Sequence, residues 1–133
     1  MRKLVIDGKI VEDRSDCYVI AEIGHNHQGS IDTAKEMFRV AKECGADAVK
    51  LQKRDNRQLY TIEMYIKPYD NPNSFGATYG EHREALEFEE PEYKELLDYA
   101  REIGVTMFST AFDYPSADFQ RPLKICAGII KGR

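Results

Sequence analysis

A nearly continuous apolar segment, residues 17–23, and a second strand-like segment, residues 46–52, bracket a segment in which apolar residues recur every three or four positions. That alternation constrains the fold more than any other feature of the chain. An apolar run of strand length suits a strand covered on both faces, as in a parallel sheet. Between the runs, Ile31, Ala34, Met37, Phe38 and Ala41 fall on one face of a helix, and Asp32, Lys35, Glu36, Arg39 and Lys42 occupy the other. Ser30 stands where an N-cap belongs, and Gly45 stands where a helix of this length ends.

The pattern then repeats. In 46–52, Val49 and Leu51 point one way, and Ala48, Lys50 and Gln52 the other. A second helix is predicted from Pro91 onward, with Tyr93, Leu96, Leu97, Ala100 and Ile103 as its apolar stripe and Gly104 at its end. Residues 105–110 read as a third strand, 116–121 as a short helix and 123–126 as a fourth strand. Ahead of all this, Leu4-Val5-Ile6 and Ile10-Val11 flank Asp7-Gly8, a favoured two-residue hairpin turn. The stretch between Gln52 and Pro91 is rich in Asn, Tyr, Pro and Gly and shows no strong periodic element. A connection that long is usually functional or disordered, and its tyrosines argue against plain disorder.

Strands separated by helices predict an α/β fold with a parallel sheet. No dinucleotide fingerprint or P-loop is present, which favours a (β/α) barrel over a nucleotide-binding sheet. The expected organisation is a β-hairpin over 1–14 followed by a partial TIM barrel over 15–133, about the first half of eight strands. A net charge of -4 with no basic stripe gives no reason to expect nucleic acid as a partner. No apolar run has the length of a membrane span, and Asp7 and Lys9 interrupt the N-terminal apolar residues too early for a signal peptide. Cys17, Cys44 and Cys126 are odd in number and far apart, which predicts reduced, mostly buried thiols in a cytoplasmic protein.

In a (β/α) barrel the working residues lie at the C-terminal ends of the strands. That rule selects Glu22, with His25 and His27 in the loop after it, then Lys50 and Gln52, then Ser109 and Thr110, and Lys124 on the expected fourth strand. Lysine is rarely buried without a partner. Lys50 is therefore either a solvated residue of an edge strand or an inward cation for an anionic substrate, repeated by Lys124. Glu22 is either a surface carboxylate or an acid/base group beside those cations. Glu22, His25 and His27 could form a metal cluster, but their short, irregular spacing favours structural hydrogen bonding by the histidines.

Residues 21–30, Ala-Glu-Ile-Gly-His-Asn-His-Gln-Gly-Ser, resemble the opening signature of the sialic acid synthases, the family of N-acetylneuraminate, legionaminic and pseudaminic acid synthases. Residues 46–52, 74–83 and 108–113 are similar to further segments of that family, in the same order. The resemblance implies a TIM-barrel synthase that condenses phosphoenolpyruvate with an N-acetylhexosamine. It implies that Glu22 is catalytic, that Lys50, Thr110 and Lys124 contact phosphoenolpyruvate, and that Gln52 and Asn73 contact the sugar. It further implies a divalent metal, manganese or magnesium, whose ligands lie outside this chain; His25, His27 and His82 do not match the metal positions. Ala127 stands where the family carries Ser, and the stretch from Phe119 to Lys124 is several residues short of the family pattern. A half barrel exposes two sheet edges and its inner face, so a homodimer is expected. Two rivals remain. One is a non-catalytic assembly or binding module. The other is a different phosphoenolpyruvate-dependent aldol-type synthase, acting on a sugar phosphate.

Overall fold

A computed structural model describes residues 3–125. Strands β1 (Lys3–Ile6) and β2 (Lys9–Glu12) pair antiparallel as a separate hairpin. Asp7 and Gly8 both have positive φ, 47° and 82°, as the tight turn requires. Lys9 clamps the hairpin to the main body through Asp47 at 2.7 Å, and the Thr106 hydroxyl is hydrogen-bonded to Asp7. Both contacts lie at the N-terminal ends of strands, so the hairpin closes the end of the sheet opposite the expected site.

The main sheet has three parallel strands in the order β3 (Ile20–Gly24), β4 (Ala48–Lys53), β5 (Thr106–Ala111). Helix α1 (Ile31–Glu43) connects β3 to β4. Ser30 caps it, accepting a hydrogen bond from the Thr33 amide. Helix α5 (Glu90–Ile103) precedes β5 and ends at Gly104 in the left-handed conformation. Ala34 and Phe38 of α1 and Tyr93, Leu96 and Ala100 of α5 pack with Val49, Leu51 and Met107 into one core. Both long helices therefore cover the same face of the sheet. The alternation along β4 is as predicted: Val49 and Leu51 are buried under the helices, while Lys50 and Gln52 lie half-buried on the opposite face.

Several expectations need correction. The run at 17–23 does not form a strand covered on both faces; β3 begins at Ile20, which is 45% exposed, because β3 is the edge of the sheet formed by the described residues. The region between Gln52 and Pro91 holds three short helices, α2 (Asn56–Leu59), α3 (Ile62–Tyr65) and α4 (Tyr79–Glu84). Each is too short to display a period, and each is set by its cap: Asp55, Thr61 and Thr78 accept hydrogen bonds from the first-turn amides. The short helix near 116–121 is present and longer, α6 (Tyr114–Leu123). It runs through the start of the expected fourth strand. Leu123 ends the helix and Lys124 caps it with φ 56°; Cys126 lies outside the described residues. Cys17 and Cys44 are free but exposed, not buried. Among the described residues no helix is long and apolar enough to cross a membrane.

Gly29 ties the loop after β3 to the segment after α4. Its φ is +75°, and a Cβ there would lie 2.4 Å from the Ala85 carbonyl oxygen. Gly29→Ala is expected to cost about 1–3 kcal/mol for backbone strain alone, with the overlap added. Urea denaturation reads the change, and an unchanged midpoint would show that the loop can move away from Ala85.

Candidate active site

The parallel register places Glu22 beside Lys50, Lys50 beside Phe108, and Gln52 beside Thr110. Paired residues share a face, so Glu22, Lys50, Gln52 and Thr110 converge on the face away from the helices, near the C-terminal strand ends. The Lys50 ammonium forms an ion pair with the Glu22 carboxylate, and the two side chains are 29% and 45% exposed. The Gln52 amide nitrogen lies 3.5 Å from Glu22 Oε1. A cation, a carboxylate, an amide and a hydroxyl are thus presented together on rigid strands. Such a set can bind an oxyanion and place an acid/base group next to it.

Not every expected residue joins them. Ser109 points the other way, buried beneath α5, with its hydroxyl 3.0 Å from the Tyr93 hydroxyl. Asn73 lies in the long connection and lines a separate open depression with His25, Tyr69, His82 and Arg83. Lys124 is exposed at the end of α6, and no strand carries it to the Lys50 face.

Both histidines of the first loop have structural bonds, as their spacing suggested. His27 is buried, stacks on Phe88 with ring centroids 4.0 Å apart, and accepts a hydrogen bond from the Gly29 amide. His25 Nδ1 faces the guanidiniums of Arg54 and Arg83, each at 3.0 Å. Both are obligate donors, so Nδ1 is the acceptor and the proton is assigned to Nε2. There it can donate to the Gln52 carbonyl at 3.1 Å, with Glu87 Oε1 also 3.1 Å away but in no hydrogen bond. Two cations on one histidine, and the pairing of Glu22 with Lys50, argue against a metal at Glu22, His25 and His27. Among the described residues no group of three or more potential ligands could hold an ion.

Burial, and then the neighbouring His25, push the His27 pKa down to about 4. The folded chain therefore keeps His27 neutral where an unfolded chain would protonate it. The resulting stability is fully present above about pH 6.5, the unfolded value, and is lost as the pH falls toward 4. Unfolding free energies from urea denaturation at pH 7.5 and 4.5 should differ by no more than about 2–3 kcal/mol from this source. In His27→Phe, which keeps the stack on Phe88, the difference should shrink. An equal difference in both proteins would assign the acid sensitivity elsewhere.

Arg54, Arg83 and Glu87 were not anticipated as site residues. Arg54 follows the strand that carries Lys50 and Gln52, and that adjacency was an available signal. Arg83 and Glu87 both lie in a region with no readable period.

The fold and the site define a parallel α/β protein that presents a cation–carboxylate pair at its strand ends. The chain belongs to the NeuB family, whose model matches residues 37–130. It is 44% identical over 118 residues to N-acetylneuraminate-9-phosphate synthase of Mus musculus, an alignment covering 89% of this chain and 33% of that protein. It is 40% identical over 105 residues to N,N'-diacetyllegionaminic acid synthase of Legionella pneumophila, covering 77% and 29%. These relatives are enzymes, and the chain spans about a third of their length. Among solved structures it is similar in fold to a sialic acid synthetase of Leptospira borgpetersenii, with a TM-score of 0.71 at 20% identity, covering 93% of this chain and 39% of that one. It also resembles the spore coat polysaccharide biosynthesis protein SpsE of Bacillus subtilis, with a TM-score of 0.64 at 32% identity, covering 92% and 31%.

Proposed function

We propose that this chain supplies the phosphoenolpyruvate-handling part of a sialic acid-type synthase built on a (β/α) barrel. The observation that carries the reading is the Glu22–Lys50 pair at the C-terminal ends of adjacent parallel strands, with Gln52 and Thr110 next in register. Strand order β3–β4–β5 with both long helices on one face supports the start of a singly wound barrel over a doubly wound sheet, which carries helices on both faces.

In this reading Lys50 and Thr110 hold the phosphate and carboxylate of phosphoenolpyruvate. Gln52 and Asn73 hold an open-chain N-acetylated amino sugar. C3 of phosphoenolpyruvate attacks the sugar's aldehyde carbon, forming a C–C bond as the double-bond electrons move. Water adds at C2, and phosphate leaves with the C2–O bond pair. Glu22 takes or gives the proton at that centre and opposes the positive charge that develops there. Most of the rate enhancement is orientation of two reactants and fixed charges around a charged intermediate. The reading includes a cytoplasmic location, to which the free thiols of Cys17 and Cys44 are suited. It also includes a homodimer, because β3 and β5 have no outer strand partner among the described residues.

Calorimetric titration of the chain with phosphoenolpyruvate tests the reading. Binding is expected, weakened about ten- to a hundredfold by Lys50→Ala. No binding, or equal binding by the variant, would overturn it. The chain alone is expected to release no phosphate from phosphoenolpyruvate and an amino sugar, with or without manganese. Sugar-dependent release that is lost in Glu22→Ala would show that the described residues suffice for the chemistry.

A further inference from the structure

Both ends of Gln52 are tied by the same two side chains. Its main-chain carbonyl accepts from His25 Nε2 at 3.1 Å, and its side-chain Oε1 accepts from one guanidinium nitrogen of Arg54 at 2.6 Å. A second Arg54 nitrogen donates to His25 Nδ1 at 3.0 Å. Three residues thus close a ring of hydrogen bonds around the end of β4. The Arg54 guanidinium also lies over the Phe112 ring, 4.0 Å from its centroid. Burial, and then Arg83 nearby, hold Arg54 below the usual arginine range, so the fold keeps this cation here at an electrostatic cost.

The ring decides which way the Gln52 amide turns. The two ends of a glutamine amide are alike in shape and opposite in hydrogen-bonding sense. A guanidinium only donates, so the atom 2.6 Å from Arg54 is the amide oxygen. The nitrogen is left toward Glu22, whose Oε1 is 3.5 Å away, while Oε2 of the same carboxylate pairs with Lys50. Gly24 borders Gln52 and Glu22 and puts no side chain between them; a Cβ there would stand 3.5 Å from Gln52 Nε2 and 3.6 Å from Glu22 Oε1. A reversed amide would set its oxygen against the carboxylate and its N–H groups against the guanidinium, which is unfavourable at both ends.

We propose that Arg54 is a positioning residue for the strand-end site. Its fork, braced by His25 and Phe112, locks the Gln52 amide with the N–H groups toward Glu22, so that Glu22 keeps one orientation and the sugar meets a donor at Gln52. This rests on the synthase reading above. The amide has two N–H groups, one for Glu22 Oε1 and one for an oxygen of the sugar. A lysine in place of Arg54 would keep the charge, but its single nitrogen cannot reproduce the rigid fork that bridges His25 and Gln52.

Nuclear Overhauser contacts read the amide directly. In the unligated chain they are expected between the Gln52 Nε2 protons and the Glu22 side chain. Arg54→Met and Arg54→Lys should both weaken them, because the amide then turns over between its two orientations. Phe112→Leu, which leaves every hydrogen-bonding group in place, should weaken them less. In calorimetric titrations Arg54→Met should bind N-acetylmannosamine about three- to tenfold more weakly than the unaltered chain, with phosphoenolpyruvate affected less. Arg54→Lys should also fall short of the unaltered chain with the sugar. Thermal melts check that each variant folds; if the Arg54 variants do not, Phe112→Leu carries the comparison, and unchanged contacts there overturn the proposal. Unchanged contacts in Arg54→Met, or full sugar affinity in Arg54→Lys, would equally overturn it. So would a larger loss of phosphoenolpyruvate than of sugar in Arg54→Met, which would make Arg54 a general attracting charge. Failure of the unaltered chain to bind either ligand would overturn the synthase reading, and the Overhauser contacts would then decide the amide lock by themselves.

Discussion

Lys53→Ala will destabilise the chain by about 3 kcal/mol or more, whereas Lys50→Ala will change its stability little and strike ligand binding. The two lysines are three residues apart on one strand, but the pleat sends them to opposite faces. Lys53 is 8% exposed at its side chain, on the helix side. Its ammonium donates to the Phe88 carbonyl at 2.7 Å, lies 3.4 Å from Glu89 and 3.6 Å from Glu87, and sits over the Phe119 ring. Removing it leaves the Glu87 carboxylate, 6% exposed, and a buried carbonyl without their cation. Leaving one member of a buried pair unopposed is among the costlier single changes a fold can suffer. Lys50 lies on the open face, and its pair with Glu22 is wet enough that losing it should cost no more than about 1 kcal/mol. Urea denaturation and phosphoenolpyruvate titration, run on both variants, separate stability from binding. Equal effects of the two substitutions on both measurements would mean that the facing of β4 is wrong.

Phe38→Ala is expected to cost about 3–5 kcal/mol, enough to unfold much of the chain, because small domains hold only about 5–15 kcal/mol in reserve. Phe38 is fully buried on α1, in the core shared by α1, the sheet and α5. Truncation would remove a ring from the seam that locks both long helices to the strands. Val40, two residues on, is 43% exposed. Val40→Ala is the control and should stay within about 0.5 kcal/mol of the parent. A Phe38→Ala midpoint as high as that of Val40→Ala would show that the seam can collapse around the gap and that the helices are held by other contacts.

Much of the architecture was legible beforehand, for local reasons. Asp7-Gly8 specifies its turn because both residues accept positive φ. Ser30, Gly45, Pro91 and Gly104 mark helix ends because capping is decided within a few residues of the end. Val49-Lys50-Leu51-Gln52 declares its two faces because a strand has period two. Glu22, Lys50, Gln52 and Thr110 were therefore readable as neighbours once the strands were known to run parallel. Lys124 was not, because the segment before it extends a helix that its own composition favours only weakly, with Pro122 inside. The short helices α2, α3 and α4 were hidden because four to six residues display no period; only their capping residues announce them.

The amino-acid sequence by itself determined the hairpin, the two long helices, the faces of the parallel strands and the family resemblance, since each rests on patterns closed within about a dozen residues. Only the tertiary structure decided that Lys53 is a buried structural cation, that Ser109 belongs to the core, and that Arg54, Arg83 and Glu87 gather around His25. Those arrangements join residues as distant in sequence as His25 and Arg83, 58 positions apart. They exist because the connection after β4 folds back on the loop after β3, through contacts such as Gly29 against Ala85 and His27 against Phe88. No local pattern encodes such a return. It is set by which buried groups can satisfy one another once the chain has closed.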